Sequence, residues 1–559
     1  MRSAAAMGIA TFFSRILGLV REQVFAYIFG AGNETDAYNI AFRIPNLLRD
    51  LFAEGAMSAS LVPNFTQVRT QEGDRQAWRL AGLAFRVVTG MVAAVTILGM
   101  IFAPQLVSLY ASAYRSVPGK FELTVSMTRT MFPFFPLVAL AAAFMGILNA
   151  CGFFFMPAFA SALFNATSIT VGVILAYVFG HYGDAWGVQP IQGMALGVVA
   201  GGLVQAACQL PHLYRAGYRW ERARSDDPPW YRNRALRRML LMMVPGTLGL
   251  AATQINILVN SMLATSQGTG PVSYLTYAFR LMQFPIGLFG VSLASATLPR
   301  LSQLWVTKNT DGIRKTLTQS MGHVLGINLP ASAGLAFLAF PIIQLIFEHG
   351  RFGVGATRAT AIALIAYSVG LSAYSAVKVL VPACYALGNT RIPVISSVLS
   401  VTCNIILNLL MVHSLGYWGL ALGTSITAYL NATFLLFAVR MLVRRAGGEF
   451  PIAPILTSFL GNLGIALVMG AFCLGTHQFL TLLLPDSLLP AVLGKGGLIL
   501  WRMLKVGVVI VEGAALVVIL ARIFRVRDTT EAFDQLVARA REKYKRLKSR
   551  KNKVSPGQT

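Results

Sequence analysis

Charged side chains interrupt the first two apolar stretches of the chain, and their chemistry is that of an anion site. The charges within residues 4–30 and 35–64 are Arg15, Arg21, Glu22, Asp36, Arg43, Arg49, Asp50 and Glu54. A guanidinium at the centre of a bilayer costs roughly 2.5–3.5 kcal/mol, so such groups normally face a bundle interior or a watery cavity. The planar guanidinium fork matches phosphate oxygens in bidentate fashion. The pattern predicts arginines that line a cavity for an anionic substrate.

The spacing of these charges limits how they can be arranged on helices. Arg15 and Glu22 are seven residues apart and share one stripe of a helix. Arg21 lies about 120° around the helix from Arg15, so the two must border a broad cavity or different neighbours. Two alternatives stay open at this point. The helices could lie on the membrane surface with their arginines among the headgroups, or the charges could form structural ion pairs between the two helices.

The composition is that of a polytopic membrane protein. The chain has 559 residues, of which 55% are hydrophobic and 12% charged, against about 25% charged in soluble proteins. The first apolar run is too long for a cleavable signal peptide and carries arginines inside it. The net charge of +26 falls largely in short loops and in the C-terminal tail, which argues against nucleic-acid binding. The five cysteines fall in apolar segments without metal-type spacing, so we expect neither a metal centre nor a disulfide.

Hydropathy and breaker residues predict fourteen transmembrane helices. Their approximate ranges are 4–30, 35–64, 80–112, 123–150, 157–180, 188–214, 237–265, 272–299, 316–347, 358–386, 392–413, 417–441, 454–476 and 498–523. The loops that follow even-numbered helices are rich in arginine and lysine, whereas GAGNE (30–34) and SQGTG (266–270), which follow odd-numbered ones, are not. By the positive-inside rule, both termini are cytoplasmic.

An internal repeat with an offset of 236–237 residues predicts two similar halves. The matched residues include Arg43, Leu51, Phe52, Ser58, Ala59 and Leu61 with Arg280, Leu288, Phe289, Ser295, Ala296 and Leu298. Because six helices separate the copies, we expect two six-helix bundles related by a pseudo-twofold axis along the membrane normal, with a central cavity between them. The predicted domains are an N-terminal bundle (1–232), a C-terminal bundle (233–447), two additional helices (448–524) and a basic cytoplasmic tail (525–559).

No catalytic constellation or cofactor motif is found in the sequence. The six histidines are scattered, and no nucleophile elbow, Walker A loop or glycine-rich dinucleotide turn occurs in a suitable context. The sequence therefore predicts a transporter without a cofactor, and not an enzyme. Intramembrane cations are more numerous than intramembrane acids. The cations are the arginines of the first repeat, with Arg280 and Lys378 in the second, and no carboxylate lies near the middle of a span between Glu54 and Glu512.

A second polar cluster offers a weak candidate for a sodium site. Asn404 and Asn408 share a face at a spacing of four residues, and Thr424 follows on the next predicted helix. Asn260, on the seventh predicted helix, could add a fourth oxygen ligand. Amide oxygens can coordinate Na⁺, but interhelical hydrogen bonding is the more common role of such residues. The sequence favours the hydrogen-bonding role.

Several segments resemble the MurJ (MviN) lipid II flippases of bacteria, a family of the multidrug/oligosaccharidyl-lipid/polysaccharide exporter superfamily. The segments are SRILGLVRE, FGAGNETDAY, FRIPNLLRDLFAEGAMSASLVP and YAFRLMQFPIGLFGVSLASATLP. The resemblance implies a multi-pass protein of the bacterial inner membrane that moves undecaprenyl-pyrophosphate-linked disaccharide-pentapeptide outward. It places the family's required arginines on Arg15, Arg21, Arg49 and Arg280. It also places cavity or gate positions on Ser14, Asp36, Glu54 and Ser273.

The leading hypothesis is thus a lipid II flippase that works by alternating access around an arginine-lined cavity. Its expected partners are lipid II, membrane lipids and the cell-wall synthesis machinery. The alternatives are a cation-coupled small-molecule exporter, another lipid-linked oligosaccharide flippase of the same superfamily, or a membrane scaffold that recruits enzymes through its basic tail. If the flippase hypothesis is correct, the loops GAGNE and SQGTG should meet on the periplasmic side when the cavity is open inward.

Overall fold

A computed structural model describes residues 2–51, 58–219, 233–483, 485, 489–526, 528–531 and 533–534. Every regular element in these ranges is helical, as expected for segments whose backbone polar groups must be satisfied within lipid. Glu54 and most of the predicted basic tail lie outside the described residues. The described chain divides into two compact units, the first formed by Met1–Tyr274 with Phe347–Ala356, and the second by Leu275–Ile346 with Thr357–Thr559.

The first unit contains eleven complete helices in its described part and the start of a twelfth. They are α1 (Arg2–Phe29), α2 (Asn33–Arg49), α3 (Ser58–Glu72), α4 (Asp74–Ile101), α5 (Ala103–Ala111), α6 (Lys120–Met131), α7 (Phe134–Ala150), α8 (Phe155–Trp186), α9 (Pro190–Ala207), α10 (Leu210–Arg215), α11 (Arg234–Thr265) and α12 (Pro271–Pro285). A short 3₁₀ helix, Ser112–Ser116, joins α5 to the loop before α6.

The second unit takes up the rest of α12 and nine further helices in the ranges that the structure covers. They are α13 (Val291–Val306), α14 (Thr310–Phe337), α15 (Ala339–Phe347), α16 (Val354–Val369), α17 (Leu371–Ala386), α18 (Arg391–Leu415), α19 (Tyr417–Arg445), α20 (Ala453–Leu483) and α21 (Leu489–Ile523). A π-helical segment, Ile286–Gly290, connects α12 to α13.

The lengths and hydropathy of these helices confirm an all-α polytopic membrane protein. In the described part, nine helical stretches are long and apolar enough to cross a bilayer. The number rises to eleven if α14 with α15 and α16 with α17, which are bent by 73° and 42°, are each one span. The count of fourteen spans, the repeat symmetry and the predicted domain limits stay predictions.

A stripe of glycines brings α9 into close contact with α8. Gly193, Gly197 and Gly201 recur every fourth residue and therefore lie on one face of α9. A Cβ atom added at Gly197 would lie 2.6 Å from the Ser168 carbonyl oxygen and 2.7 Å from the Gly172 Cα of α8. Small residues at this spacing allow helix backbones to approach closely in membranes, where packing and not hydrophobicity drives association. The pair α8–α9 is thus a tightly packed wall of the first unit.

The core beside α1 and α2 is aromatic. Phe25 of α1 and Tyr38 of α2 have ring centroids 4.3 Å apart, and both are buried. Met127 of α6, Phe134 of α7 and Met194 of α9 are buried in the same hydrophobic cluster. This packing fixes the rotation of α1 and α2, and with it the directions in which their charged side chains point.

Candidate functional site

Asp36 connects the first turn of α2 to the start of α12. Its side chain is fully buried, and its carboxylate accepts hydrogen bonds from the backbone N–H groups of Gly270 (2.7 Å) and Ser273 (3.0 Å). The Ser273 hydroxyl donates a further bond of 2.7 Å to the same carboxylate. The first amides of a helix have no partner within the helix and carry partial positive charge. Asp36 therefore caps α12 from a different helix, and the two predicted gate residues are in direct contact.

Lys120 provides the counter-charge for Asp36. Its Nζ lies 3.3 Å from Asp36 Oδ2, and the side chains are 1% and 0% exposed. The ammonium also lies 4.0 Å from the centroid of the Tyr114 ring. The sequence pattern places Asp36 among the arginines of the first two apolar stretches, whereas Lys120 is not among the predicted site residues. The available indication was a lysine just before a long apolar stretch, a position that requires a partner once it is buried.

The loops next to this ion pair also meet. Thr269 donates a 2.8 Å hydrogen bond to Asn33 Oδ1, which confirms the predicted contact between GAGNE and SQGTG. The segment around Arg351 packs on the end of α1, where the Arg351 N–H donates to the Tyr27 carbonyl oxygen at 2.9 Å. A Cβ at Gly350, whose φ is +61°, would lie 2.2 Å from that same oxygen. Only glycine fits this position without a shift of the backbone.

Arg21 is buried in the first unit with an acidic neighbour. It is 7% exposed, and its Nη2 donates to Glu22 Oε1 at 3.1 Å. Its guanidinium carbon lies 5.7 Å and 5.9 Å from the ring centroids of Phe42 and Phe164. This is the only hydrogen bond of Arg21 among the described residues, so most of its N–H donors are not used within that part of the chain. Glu22 and the aromatic rings thus orient the guanidinium with one hydrogen bond and two ring contacts.

Arg49 has a similar neighbour at the other end of α2. Its Nε and Nη2 donate to Asp50 Oδ1 at 3.1 and 2.7 Å, and Asp50 Oδ2 accepts from Asn46 at 3.5 Å. The side chains of Arg49 and Asp50 are 26% and 25% exposed, so water or a ligand can reach the pair. Arg43 is half-buried in the same helix.

The remaining predicted site residues are more exposed or belong to the other unit. Arg15 is exposed on α1, and its half-buried neighbour Ser14 accepts a hydrogen bond on its carbonyl oxygen from Asn165 of α8 at 3.2 Å. Arg280 is an exposed residue of α12 within the second unit. Two ion pairs of the described residues, Arg21 with Glu22 and Arg49 with Asp50, join neighbours in sequence.

The candidate sodium ligands of the second unit bond to one another. The Asn408 amide donates to Asn404 Oδ1 at 3.0 Å, and the Asn404 amide donates to Thr424 Oγ1 at 3.3 Å. A Cβ at Gly423 would lie 2.1 Å from Asn408 Oδ1, so glycine is what lets α19 pack against this amide. Asn260, in the first unit, donates within its own helix to Asn256 at 3.4 Å. The bond between Asn404 and Thr424 joins α18 to α19, as expected for the interhelical role, whereas the other two bonds lie within single helices.

Comparison with known proteins gives consistent matches. A family model described as "Lipid II flippase MurJ" matches residues 25–494. A probable lipid II flippase MurJ of Vibrio cholerae is 33% identical over 443 residues, which cover 78% of this chain and 82% of that protein. The lipid II flippase MurJ of Burkholderia cenocepacia is 32% identical over 465 residues, which cover 82% and 86%.

Solved structures agree with the sequence comparisons. A lipid II flippase MurJ in an inward closed conformation superposes with a TM-score of 0.72 at 27% identity, covering 93% of this chain and 99% of that one. A multidrug resistance transporter of the MATE family, in the MOP superfamily, superposes with a TM-score of 0.65 at 16% identity, covering 78% and 95%. The second match concerns the fold alone.

Proposed function

The chain belongs to the MurJ family of lipid II flippases, and we propose that it carries lipid II from the inner to the outer leaflet of the bacterial cytoplasmic membrane. Its substrate would be the peptidoglycan precursor, a disaccharide-pentapeptide joined to undecaprenyl pyrophosphate. Transport would proceed by alternating access, without covalent chemistry and without a cofactor. The multi-pass helical architecture and the buried guanidinium of Arg21 in α1 support this function.

The observation that carries the proposal is the environment of Arg21. A buried arginine is costly in a membrane unless it has partners. Glu22 supplies one hydrogen bond, and the rings of Phe42 and Phe164 lie close to the cation. We propose that the pyrophosphate completes the coordination, together with Arg15, Arg43, Arg49 and Arg280. A pyrophosphate offers several anionic oxygens to the guanidinium forks, which bind such groups in bidentate fashion.

The contact between Asp36 and α12 supports a second element of the proposal, a gate. We propose that this contact closes the periplasmic end of the pathway and that it breaks when the substrate leaves. The contact comprises three hydrogen bonds to Asp36 and one ion pair with Lys120, all buried. Ser14 and Glu54 are proposed to line the same pathway, and both termini are proposed to be cytoplasmic. Functional association with cell-wall synthesis enzymes is also part of the proposal.

Complementation tests this function. The chain should restore growth in a bacterium depleted of its own lipid II flippase, and the Arg21→Ala and Arg280→Ala variants should not, at equal abundance in the membrane. Arg69→Ala provides a matched control, because Arg69 pairs with Asp74 in a solvent-exposed turn, with an N–O distance of 2.7 Å. Growth with both cavity variants would contradict the proposed role of the arginines. Failure of the unmodified, membrane-inserted chain to restore growth would contradict the function itself.

A further inference from the structure

A cavity at the C-terminal end of α19 combines three arginines with two apolar side chains. It has a volume of about 470 Å³ and is lined by Phe437, Arg440, Met441, Arg444 and Arg445. The aromatic ring of Phe437 and the side chain of Met441 are 55% and 41% exposed. Positive charge and exposed apolar surface therefore occur together within the last turns of one helix.

The position of this cavity along α19 matches the edge of a bilayer. The helix runs from Tyr417 to Arg445 and carries Trp418 in its first turn. At 1.5 Å per residue, Arg440 lies about 33 Å along the helix from Trp418. The hydrocarbon core is about 30 Å thick, and tryptophan is enriched at its interfaces. The cavity thus lies at headgroup level, on the side that the positive-inside rule predicts to be cytoplasmic.

The arginines of this cavity have no acidic partner in the described part of the chain. Arg440 Nε is shielded from solvent and has no hydrogen-bond partner there. The ion pairs found among the described residues do not include Arg440, Arg444 or Arg445. Arginines that only orient a protein in the membrane can direct all their donors into water. A buried donor without a partner is costly, so a side-chain movement of Arg440 that brings its Nε into contact with an anion in the cavity would be favourable.

We infer that this cavity binds the phosphate of an anionic phospholipid, with the guanidinium groups on the phosphodiester and with Phe437 and Met441 against the first part of the acyl chains. Basic pockets on the cytoplasmic side of membrane helices are suited to such headgroups. The mixed lining favours a lipid over a free phosphate ion, which has no apolar part. The lining residues are not those predicted for the transport pathway, so the lipid site is a separate one.

Binding to the purified full-length protein tests the site. Native mass spectrometry would measure the dissociation constant for phosphatidylglycerol, with phosphatidylcholine and inorganic phosphate as the other probes. The triple variant Arg440→Gln, Arg444→Gln and Arg445→Gln should bind phosphatidylglycerol at least tenfold more weakly, since each surface arginine contributes severalfold to the attraction of anionic lipid. The single variant Arg440→Lys keeps the charge and loses Nε, and it should bind phosphatidylglycerol severalfold more weakly. Because it changes one residue only, it still tests the site if the triple variant misfolds.

A matched control removes the same charge elsewhere in the second unit. Arg300→Gln, Lys315→Gln and Arg391→Gln replace three exposed basic residues and should leave phosphatidylglycerol binding unchanged. Equal binding by the Arg440 triple variant and the unmodified protein would overturn the inference, as would an equal loss in the control. If millimolar inorganic phosphate displaces bound phosphatidylglycerol as effectively as added lipid does, the cavity is a site for a free anion. Preferential binding of a polyprenyl pyrophosphate, lost in the triple variant, would assign the site to the substrate. Either of the last two results would overturn the inference.

Discussion

Arg21 illustrates how a membrane protein can hold a cation in place and still keep it available. One donor of its guanidinium is used on Glu22, and two aromatic rings lie within 6 Å of its charge. Rings at such distances attract cations through their quadrupoles without using the N–H donors. The guanidinium is therefore held in one orientation, which would lower the entropic cost of binding the proposed substrate.

Replacement of Arg21 by lysine separates the role of charge from the role of geometry. An ammonium is a point charge and cannot form the two parallel hydrogen bonds of the guanidinium fork. We expect Arg21→Lys to lose at least tenfold in transport rate while its abundance in the membrane stays normal. The measurement is lipid II accessibility on the outer leaflet of complemented cells. Full activity with lysine would mean that charge alone is sufficient at this position.

Asp36 and Lys120 should depend on each other for stability. Removing one partner of a buried ion pair typically costs about 3–5 kcal/mol, because the other charge stays buried without compensation. Lys120→Met and Asp36→Asn should each lower the melting temperature of the purified protein. The double variant should lose less than the sum of the two, because neither charge is then left alone. Thermal unfolding in detergent measures all three variants, and strictly additive losses would show that the two groups are not coupled.

Among the helices, α8 and α9 make the clearest prediction from packing. Gly197→Ala would place a methyl group 2.6–2.7 Å from the backbone of α8, and overpacking of this kind costs about 1–3 kcal/mol. Gly180→Ala in α8 is the matched control, because a Cβ there meets no atom within 4 Å. We expect a lower melting temperature for Gly197→Ala only. An equal effect of both substitutions would show that the close contact between the two helices is not what matters.

The presence of membrane helices could be predicted from the sequence, whereas most of the contacts between them could not. Long apolar runs bounded by glycine, proline and charged residues identify membrane helices, because lipid permits little else. The contact between Asp36 and Lys120 joins residues 84 positions apart, and no periodicity in the chain encodes such a pairing. Asn404 and Asn408 were predictable as neighbours because their spacing of four places them on one face of α18. Their bond to Thr424 depends on how α18 and α19 pack, which follows from tertiary structure.

On the scale of the whole molecule, the contact between residues 33 and 269 offers a direct test of the proposed gate. The Asn33 and Thr269 side chains are 2.8 Å apart at their oxygen atoms. In a variant without the five native cysteines, a disulfide between Asn33→Cys and Thr269→Cys should form readily and stop transport. Reductant should restore it, and each single cysteine variant should remain active. Undiminished transport by the oxidised protein would show that this contact need not open.

The source of energy is a second property of the whole molecule. An inside-negative potential favours outward movement of an anionic headgroup. Moving one elementary charge across a potential of 100 mV changes the free energy by about 2.3 kcal/mol. Asn404 Oδ1 and Thr424 Oγ1 already accept hydrogen bonds from neighbouring amides, which favours a structural role for these two oxygens over ion coordination. We predict that membrane potential suffices and that Na⁺ is dispensable. Transport that stops when sodium is withdrawn at constant potential would contradict this.

The most direct measurement is the flipping of lipid II by the purified protein in liposomes. Vesicles in sodium-free buffer would contain fluorescent lipid II, and valinomycin would set a potassium potential across their membrane. A quencher added outside would report the fraction of lipid II in the outer leaflet. We expect potential-dependent exchange with the unmodified chain and with Arg69→Ala, and background exchange with Arg21→Ala. Background exchange with the unmodified, correctly folded chain, or equal exchange with Arg21→Ala, would contradict a flippase whose cavity arginines hold the pyrophosphate.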